Sequence, residues 1–180
     1  HSRLMVISPF LSDLSSKRDK GVLDQLLHKR TSVEQNVLVS RADQLDALPP
    51  DSITELQAMA RIYVLDDAAA YADQTAETGA DAPIERPVDS LSGLHAKVYV
   101  IEDGANVSVV TGSANATAAA WGRGGETTNV EFVVELHGAR RTMGINALLG
   151  EEDSTESTSG GLLRILKPYH PPSQAVEVDH

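Results

Sequence analysis

Residues 95–117 read HAKVYVIEDGANVSVVTGSANAT, and this stretch decides the fold that the sequence predicts. Two runs rich in valine and tyrosine flank Asp103-Gly104, a dipeptide typical of a tight hairpin turn. A Gly-Ser-Ala-Asn turn at residues 112–115 follows, and the alanines up to Trp121 predict a short helix. The stretch therefore predicts a β-hairpin that leads through a tight turn into a helix.

Apolar patterning outside this stretch alternates between short buried runs and helical spacing. Predicted strands cover residues 4–10, 36–40, 61–66, 95–102, 107–111 and 129–136. Predicted helices cover residues 17–30, 41–48, 51–60, 140–149 and 162–169. Because strands and helices alternate, we expect an α/β fold in which a mixed β-sheet is flanked by helices on both faces, with some parallel pairing.

The chain has 180 residues and a formal net charge of -11, which suits one domain with a single core. Acidic residues are concentrated at 66–89 and 151–156, and the rest of the chain is nearly neutral. Both stretches are poor in large apolar residues, so they are typical of solvated loops. We expect one domain over residues 1–170, with a mobile acidic insertion at 67–92, an acidic linker at 151–160 and a tail at 171–180.

Composition excludes several classes of protein. The chain has no cysteine, which excludes disulfides, thiolate metal sites and a cysteine nucleophile, and suits a cytoplasmic location. Apolar runs are shorter than the roughly 20 residues that a membrane-spanning helix needs, so no membrane partner is expected. The sequence does not begin with methionine, which favours a piece of a longer protein.

Polar residues on the hairpin indicate possible chemistry. In an extended strand His95, Lys97 and Tyr99 share one face, and an imidazole beside an ammonium suits contact with one anion. The turn at residues 112–115 is predicted to add a hydroxyl, a carboxamide and free amide groups at a helix N-terminus. Each piece alone is also typical of a solvated strand face or an ordinary helix cap, but the two in this order are more specific.

This pattern resembles the His-x-Lys-(x)4-Asp and Gly-Ser-x-Asn signature of the phospholipase D superfamily. The matching residues are His95, Lys97, Gly112, Ser113 and Asn115, while Glu102, followed by Asp103, occupies the aspartate position. The opening ISPFLS and the run NVEFVVEL are similar to soluble bacterial members, in which such domains accompany helicase-like or restriction-type proteins. The resemblance implies a phospholipase D-like fold with one half-site per chain.

The resemblance also implies a role for each residue. His95 would be the catalytic nucleophile, Lys97 and Asn115 would stabilise phosphate oxygens, and Glu131 would hold the histidine, with Glu126 as the weaker candidate. The substrate-binding residues would be Ser113, Gly112 and Ser8. The implied activity is a metal-independent phosphodiesterase that forms a phosphohistidine and uses no cofactor.

A second imidazole is needed to protonate the leaving group, and the chain carries one such motif. We expect a homodimer in which both copies of His95 meet, unless a missing part of the protein carries the second motif. Nucleic acid is the favoured substrate because no basic amphipathic helix indicates a lipid surface. The alternative is a non-catalytic module that binds nucleic acid or dimerises a larger protein.

Overall fold

The molecule is built on one mixed seven-stranded sheet. The computed structural model describes residues 2–12, 15–16, 19–20, 22–28, 36–66, 93–122, 129–151 and 161–172. Its strands are β1 Ser2–Ile7, β2 Ser15–Ser16, β3 Asp19–Lys20, β4 Asn36–Ser40, β5 Ala60–Leu65, β6 Val98–Asp103, β7 Asn106–Gly112, β8 Val133–Ala139 and β9 Leu166–Pro168. The predicted α/β class with a mixed sheet is confirmed.

Strand order in the large sheet is β8-β7-β6-β1-β4-β5-β9, and β2 pairs with β3 separately. The β1, β4 and β5 strands are parallel, while every other neighbouring pair in the large sheet is antiparallel. Helices cover Val22–His28, Ala42–Asp46, Pro50–Met59, Ala118–Trp121, Arg140–Met143 and Ile145–Leu149. Within the described ranges, none of these helices is long and apolar enough to cross a membrane.

The central strand β1 divides the core into two clusters. Successive side chains of a strand point to opposite faces, so Leu4 and Val6 join one cluster while Met5 and Ile7 join the other. Helical residues complete both clusters: the first contains Leu23, Leu45 and Leu56, and the second contains Ile145 and Leu149. Burial on both sides explains why β1 is a continuous apolar run rather than an alternating one.

One charged pair interrupts this core. Arg3 on β1 lies opposite Glu102 on β6, and both side chains are buried. Glu102 Oε2 lies 3.2 Å from Arg140 Nε and 3.7 Å from Arg3 Nη1, while its Oε1 accepts a 2.8 Å hydrogen bond from the Ile145 amide. The carboxylate thus ties the middle of the sheet to the helix Ile145–Leu149.

Three predicted helices need correction. The helix predicted over residues 162–169 is wrong: a single 3-10 turn, Leu162–Arg164, leads into β9, which pairs with β5. The helix predicted over residues 140–149 is divided at Gly144, where a side chain would meet the Arg140 carbonyl oxygen and Glu102 Oε1. The helix predicted over residues 17–30 is wrong at its start, where Asp19–Lys20 form β3, and the observed helix covers Val22–His28, which carries the apolar positions.

The other strand and helix predictions agree with the structure to within a few residues. The β4 strand is confirmed at its predicted bounds, and the hairpin turn occurs at Gly104 with a positive φ of 60°. The acidic insertion at 67–92, most of the acidic linker and all but the first two residues of the tail lie outside the described residues.

Replacing Glu102 with glutamine tests the buried charged pair. Glu102→Gln keeps an acceptor for the Ile145 amide but removes the buried negative charge that faces the Arg3 and Arg140 guanidinium groups. We expect a loss of about 3 kcal/mol in the free energy of unfolding, measured by urea denaturation. Asp103→Asn, an exposed neighbour on the same strand, is the matched control and should change stability by less than about 0.5 kcal/mol. Equal effects of the two variants would contradict this account.

Candidate functional site

The register of three neighbouring strands brings the separated motif residues to one end of the sheet. Val98, the first residue of β6, lies opposite Thr111 on β7, and Gly112 at the end of β7 lies opposite Val133 on β8. The residues immediately beyond these pairs are Lys97, Ser113 and Phe132. The predicted site residues on these three chain segments therefore lie at one end of the sheet.

His95 and Lys97 precede β6 instead of lying within it, which corrects the predicted strand. His95 is exposed and Lys97 is partly buried. The Lys97 ammonium donates a 3.1 Å hydrogen bond to the His95 carbonyl oxygen, and the Thr111 hydroxyl donates a 3.0 Å bond to the Lys97 carbonyl oxygen. These contacts hold the segment in place although it makes no ladder with β7.

Gly112 and Ser113 join the turn to the chain that enters β8. The Ser113 amide donates to the Phe132 carbonyl oxygen at 2.9 Å, and the Phe132 amide donates to Ser113 Oγ at the same distance. Gly112 has a φ of 156°, and a side chain at this position would overlap the Phe132 carbonyl oxygen. The close approach of the two chains therefore requires glycine at this position.

Glu131 is connected directly to the turn. Its carboxylate accepts a hydrogen bond from the Ser113 hydroxyl and a 3.1 Å bond from Asn129 Nδ2. The bonds from Ser113 and Asn129 lower the pKa of Glu131 below its usual range; desolvation opposes them, and the charge of Lys97 adds a smaller lowering effect. Glu131 is thus a carboxylate at neutral pH, and the predicted contact between Glu131 and His95 stays a prediction.

The segment that follows β1 supports the Gly-Ser-Ala-Asn turn through hydrogen bonds that two serine hydroxyl groups accept. Ser8 is fully buried, and its hydroxyl donates to the Phe10 carbonyl oxygen at 2.7 Å and accepts from the Ala116 amide at 2.8 Å. Ser12 Oγ accepts from the Ala118 amide at 2.7 Å. Ser8 therefore lies in the protein interior, where it contacts the chain just after the turn, and not on the exposed surface of the turn.

One amide of the turn and three amides just beyond it are engaged within the protein. The amides of Ser113, Ala116, Thr117 and Ala118 all donate to acceptors within the protein. The helix begins at Ala118 with Thr117 as its N-cap, so the turn at residues 112–115 lies outside the helix. The prediction that the turn opens the helix is therefore wrong, and so is the alternative that Ser113 or Asn115 caps it, whereas an anion site at the turn stays a prediction.

Asn115 is partly buried at the turn. Its Oδ1 is one of two buried side-chain atoms in the described residues that have no hydrogen-bond partner. Buried polar groups are nearly always paired, and a carboxamide that caps nothing has no evident structural role here. Asn115 is thus available for another function at this end of the sheet.

Tyr99 and Trp121 support the turn in a way that the sequence analysis did not predict. The Trp121 indole donates to the Tyr99 hydroxyl oxygen, which in turn donates to the Ala114 carbonyl oxygen, both at 3.0 Å. The two rings meet edge to face with centroids 5.1 Å apart. The sequence analysis predicted Tyr99 on one strand face with His95 and Lys97, but only Tyr99 lies in β6, and Trp121 gave no indication of its partner.

No group of three or more His, Asp or Glu residues within the described ranges could hold a metal ion. Comparison of the chain with protein-family models finds no match, and comparison with curated proteins finds no relative.

The raised pKa of Tyr99 predicts a specific loss of stability in alkali. Burial raises its pKa to about 12, so the folded protein keeps a proton that the unfolded chain loses near pH 10. The stabilisation of the folded protein by the protonated Tyr99 hydroxyl is complete below pH 10 and is lost as the pH rises to about 12. Below pH 10, Tyr99→Phe should lower the free energy of unfolding by about 1 kcal/mol, and the difference from wild type should shrink and then reverse sign between pH 10 and 12. A difference that does not change with pH, measured by urea denaturation, would argue against this assignment.

Proposed function

We propose that this chain is a metal-independent phosphodiesterase with a phospholipase D-like fold, in which helices flank the sheet on both faces. One observation carries the proposal. The strand register collects the residues of the His-x-Lys and Gly-Ser-x-Asn motifs, together with Glu131, at one end of the sheet. The motifs are separate in sequence, and their convergence is what a shared phosphate site requires.

In the first step, a ring nitrogen of His95 attacks the phosphorus and the bond to the leaving oxygen breaks. Lys97 and the Asn115 amide stabilise the charge on the phosphate oxygens as it redistributes. In the second step, water attacks the phosphohistidine, the nitrogen–phosphorus bond breaks, and the free imidazole and a phosphomonoester result. We assign to Glu131 the stabilisation of the imidazole, and the Ser113 hydroxyl donates a hydrogen bond to this carboxylate.

The leaving oxygen takes its proton from a second imidazole, because His95 cannot be nucleophile and acid at once. We assign that group to the His95 of a second copy, so the active form is a homodimer with a shared site. The favoured substrate is nucleic acid, and the chain acts in the cytoplasm, which suits a protein without cysteine.

The position of Ser8 suggests a different role from substrate contact. Its hydroxyl is buried, and its bond to the Ala116 amide fixes the turn that carries Ser113 and Asn115. We therefore propose that Ser8 positions the site residues and that Gly112 acts likewise by permitting the approach to Phe132.

Hydrolysis in the presence of excess EDTA tests the catalytic proposal. Wild-type protein should cleave a chromogenic phosphodiester and single- or double-stranded DNA, and His95→Ala should lose activity by at least about 100-fold. The matched control is His170→Ala, another exposed histidine, located in the C-terminal segment. Activity that EDTA abolishes, or equal effects of the two variants, would overturn the assignment. DNA binding by a wild-type protein that cleaves none of these substrates would favour the non-catalytic module.

Mixing subunits tests whether the site is shared. Wild-type and His95→Ala chains are unfolded together, refolded in varied ratios and assayed for diesterase activity. If each site needs both copies of His95, activity should fall with the square of the wild-type fraction, because mixed dimers are inactive. A linear dependence would mean that each chain acts alone.

A further inference from the structure

The two edges of the large sheet are protected very differently. The β9 edge has three residues, includes Lys167 and ends at Pro168, and these features discourage pairing with another strand. The opposite edge, β8, has seven residues, VVELHGA, with no proline or lysine. Edge strands of this length and composition are normally covered, because their free backbone groups and apolar side chains favour strand addition.

Apolar side chains follow the exposed edge. Phe132 is 73% exposed, Leu136 is 48% exposed and Val134 is 41% exposed, and all three share one face of the strand. The register places Val134 and Leu136 opposite Thr111 and Val109 on β7. The buried second cluster thus continues outward into an apolar strip that ends at the sheet edge. We call Phe132, Val134 and Leu136 the edge strip.

The backbone groups on the outer side of β8 are also oriented to pair with a further strand. Phe132 and Arg140 exchange hydrogen bonds with the β7 side, through the Phe132 carbonyl oxygen and the Arg140 amide. Backbone groups alternate in direction along an antiparallel pair, so the even-numbered residues face β7. The amide and carbonyl groups of Val133, Glu135 and His137 therefore point outward from the sheet.

We propose that β8 pairs antiparallel with the β8 strand of a second copy, with Val134 at the two-fold axis. In this register Phe132 lies opposite the partner's Leu136, so each residue of the edge strip meets an apolar side chain. Glu131 lies opposite the partner's His137, which adds a favourable charge when that imidazole is protonated. The outward backbone groups of Val133 then pair with those of the partner's Glu135.

Neighbouring registers are less favourable. Placing Glu135 on the axis sets two carboxylates directly opposite each other, which is destabilising. Placing Leu136 on the axis sets the Glu135 of each copy opposite a histidine of the other copy. Phe132 then faces a position beyond the end of the other copy's β8 and meets no apolar side chain. The strand is thus self-complementary in one register, which is the property that an isologous contact requires and the reason why a second copy is the occupant.

This contact is different from the shared-site contact and does not rest on the proposed function. Because the paired strands are antiparallel, the ends of the two sheets that carry His95 point in opposite directions. A protein that uses both contacts through perpendicular axes is a tetramer.

Single cysteines test the register, because the native chain has none. Two Val134→Cys side chains would face each other across a non-hydrogen-bonded pair with Cα atoms about 4.5 Å apart, within the range that a disulfide spans. Leu136→Cys is the matched control, since its exposure is similar but its two copies would be more than about 13 Å apart. Val134→Cys should form disulfide dimers at least about tenfold faster than the control. A mixture of Phe132→Cys and Leu136→Cys should form mixed dimers.

Sedimentation provides a second measurement that needs no cysteine. Val134→Lys should reduce the mass of the assembly by half, whereas Ile165→Lys, an equally exposed isoleucine at the opposite edge, should leave it unchanged. Wild-type protein that sediments as a 19.2 kDa monomer at tens of micromolar would overturn the proposal, as would equal rates for the Val134→Cys and Leu136→Cys proteins. Dimers that Val134→Lys dissociates and that show no diesterase activity would support this contact and contradict only the proposed function.

Discussion

The close approach of two chain segments at Gly112 is the constraint on which the candidate site depends. The Phe132 oxygen occupies the space that a side chain at Gly112 would need, so the turn after β7 and the entry to β8 touch through their backbones. This contact allows Ser113 to bond with both Phe132 and Glu131. A bulkier residue would separate the hydroxyl from the carboxylate, and the site would lose its connection between two strands.

The segment after β1 and the strand β6 also support the turn. The buried Ser8 and the partly buried Ser12 satisfy amides that a free turn would leave to water, and Tyr99 holds the Ala114 carbonyl oxygen. These bonds fix the position of the turn relative to the sheet. In the proposed mechanism Lys97 and Asn115 add side-chain contacts to the phosphate beside this turn.

Local sequence patterns predicted the strands well where burial alone decides the structure. β4 is an apolar run between polar residues, and its bounds are those predicted. The last helix was wrongly predicted because the leucines around Leu166 suit either a helix or a strand, and pairing with β5 decides between them. The partners of Ser8 and Trp121 were not predictable either, since those contacts join segments that are far apart in the sequence. The residue types of the candidate site followed from the motif, whereas the support beneath it depends on tertiary structure.

The ionised state of Glu131 bears on the choice between an enzyme and a binding module. A carboxylate near Lys97 repels a bound phosphate and partly cancels the attraction of the ammonium, so it weakens binding of an anionic ligand in the ground state. A module that only binds nucleic acid gains nothing from such a group. A histidine nucleophile does gain from it, because the imidazole becomes positively charged as it attacks and a neighbouring carboxylate stabilises that charge. In the proposed mechanism Glu131 therefore has a role that simple binding of nucleic acid would not give it.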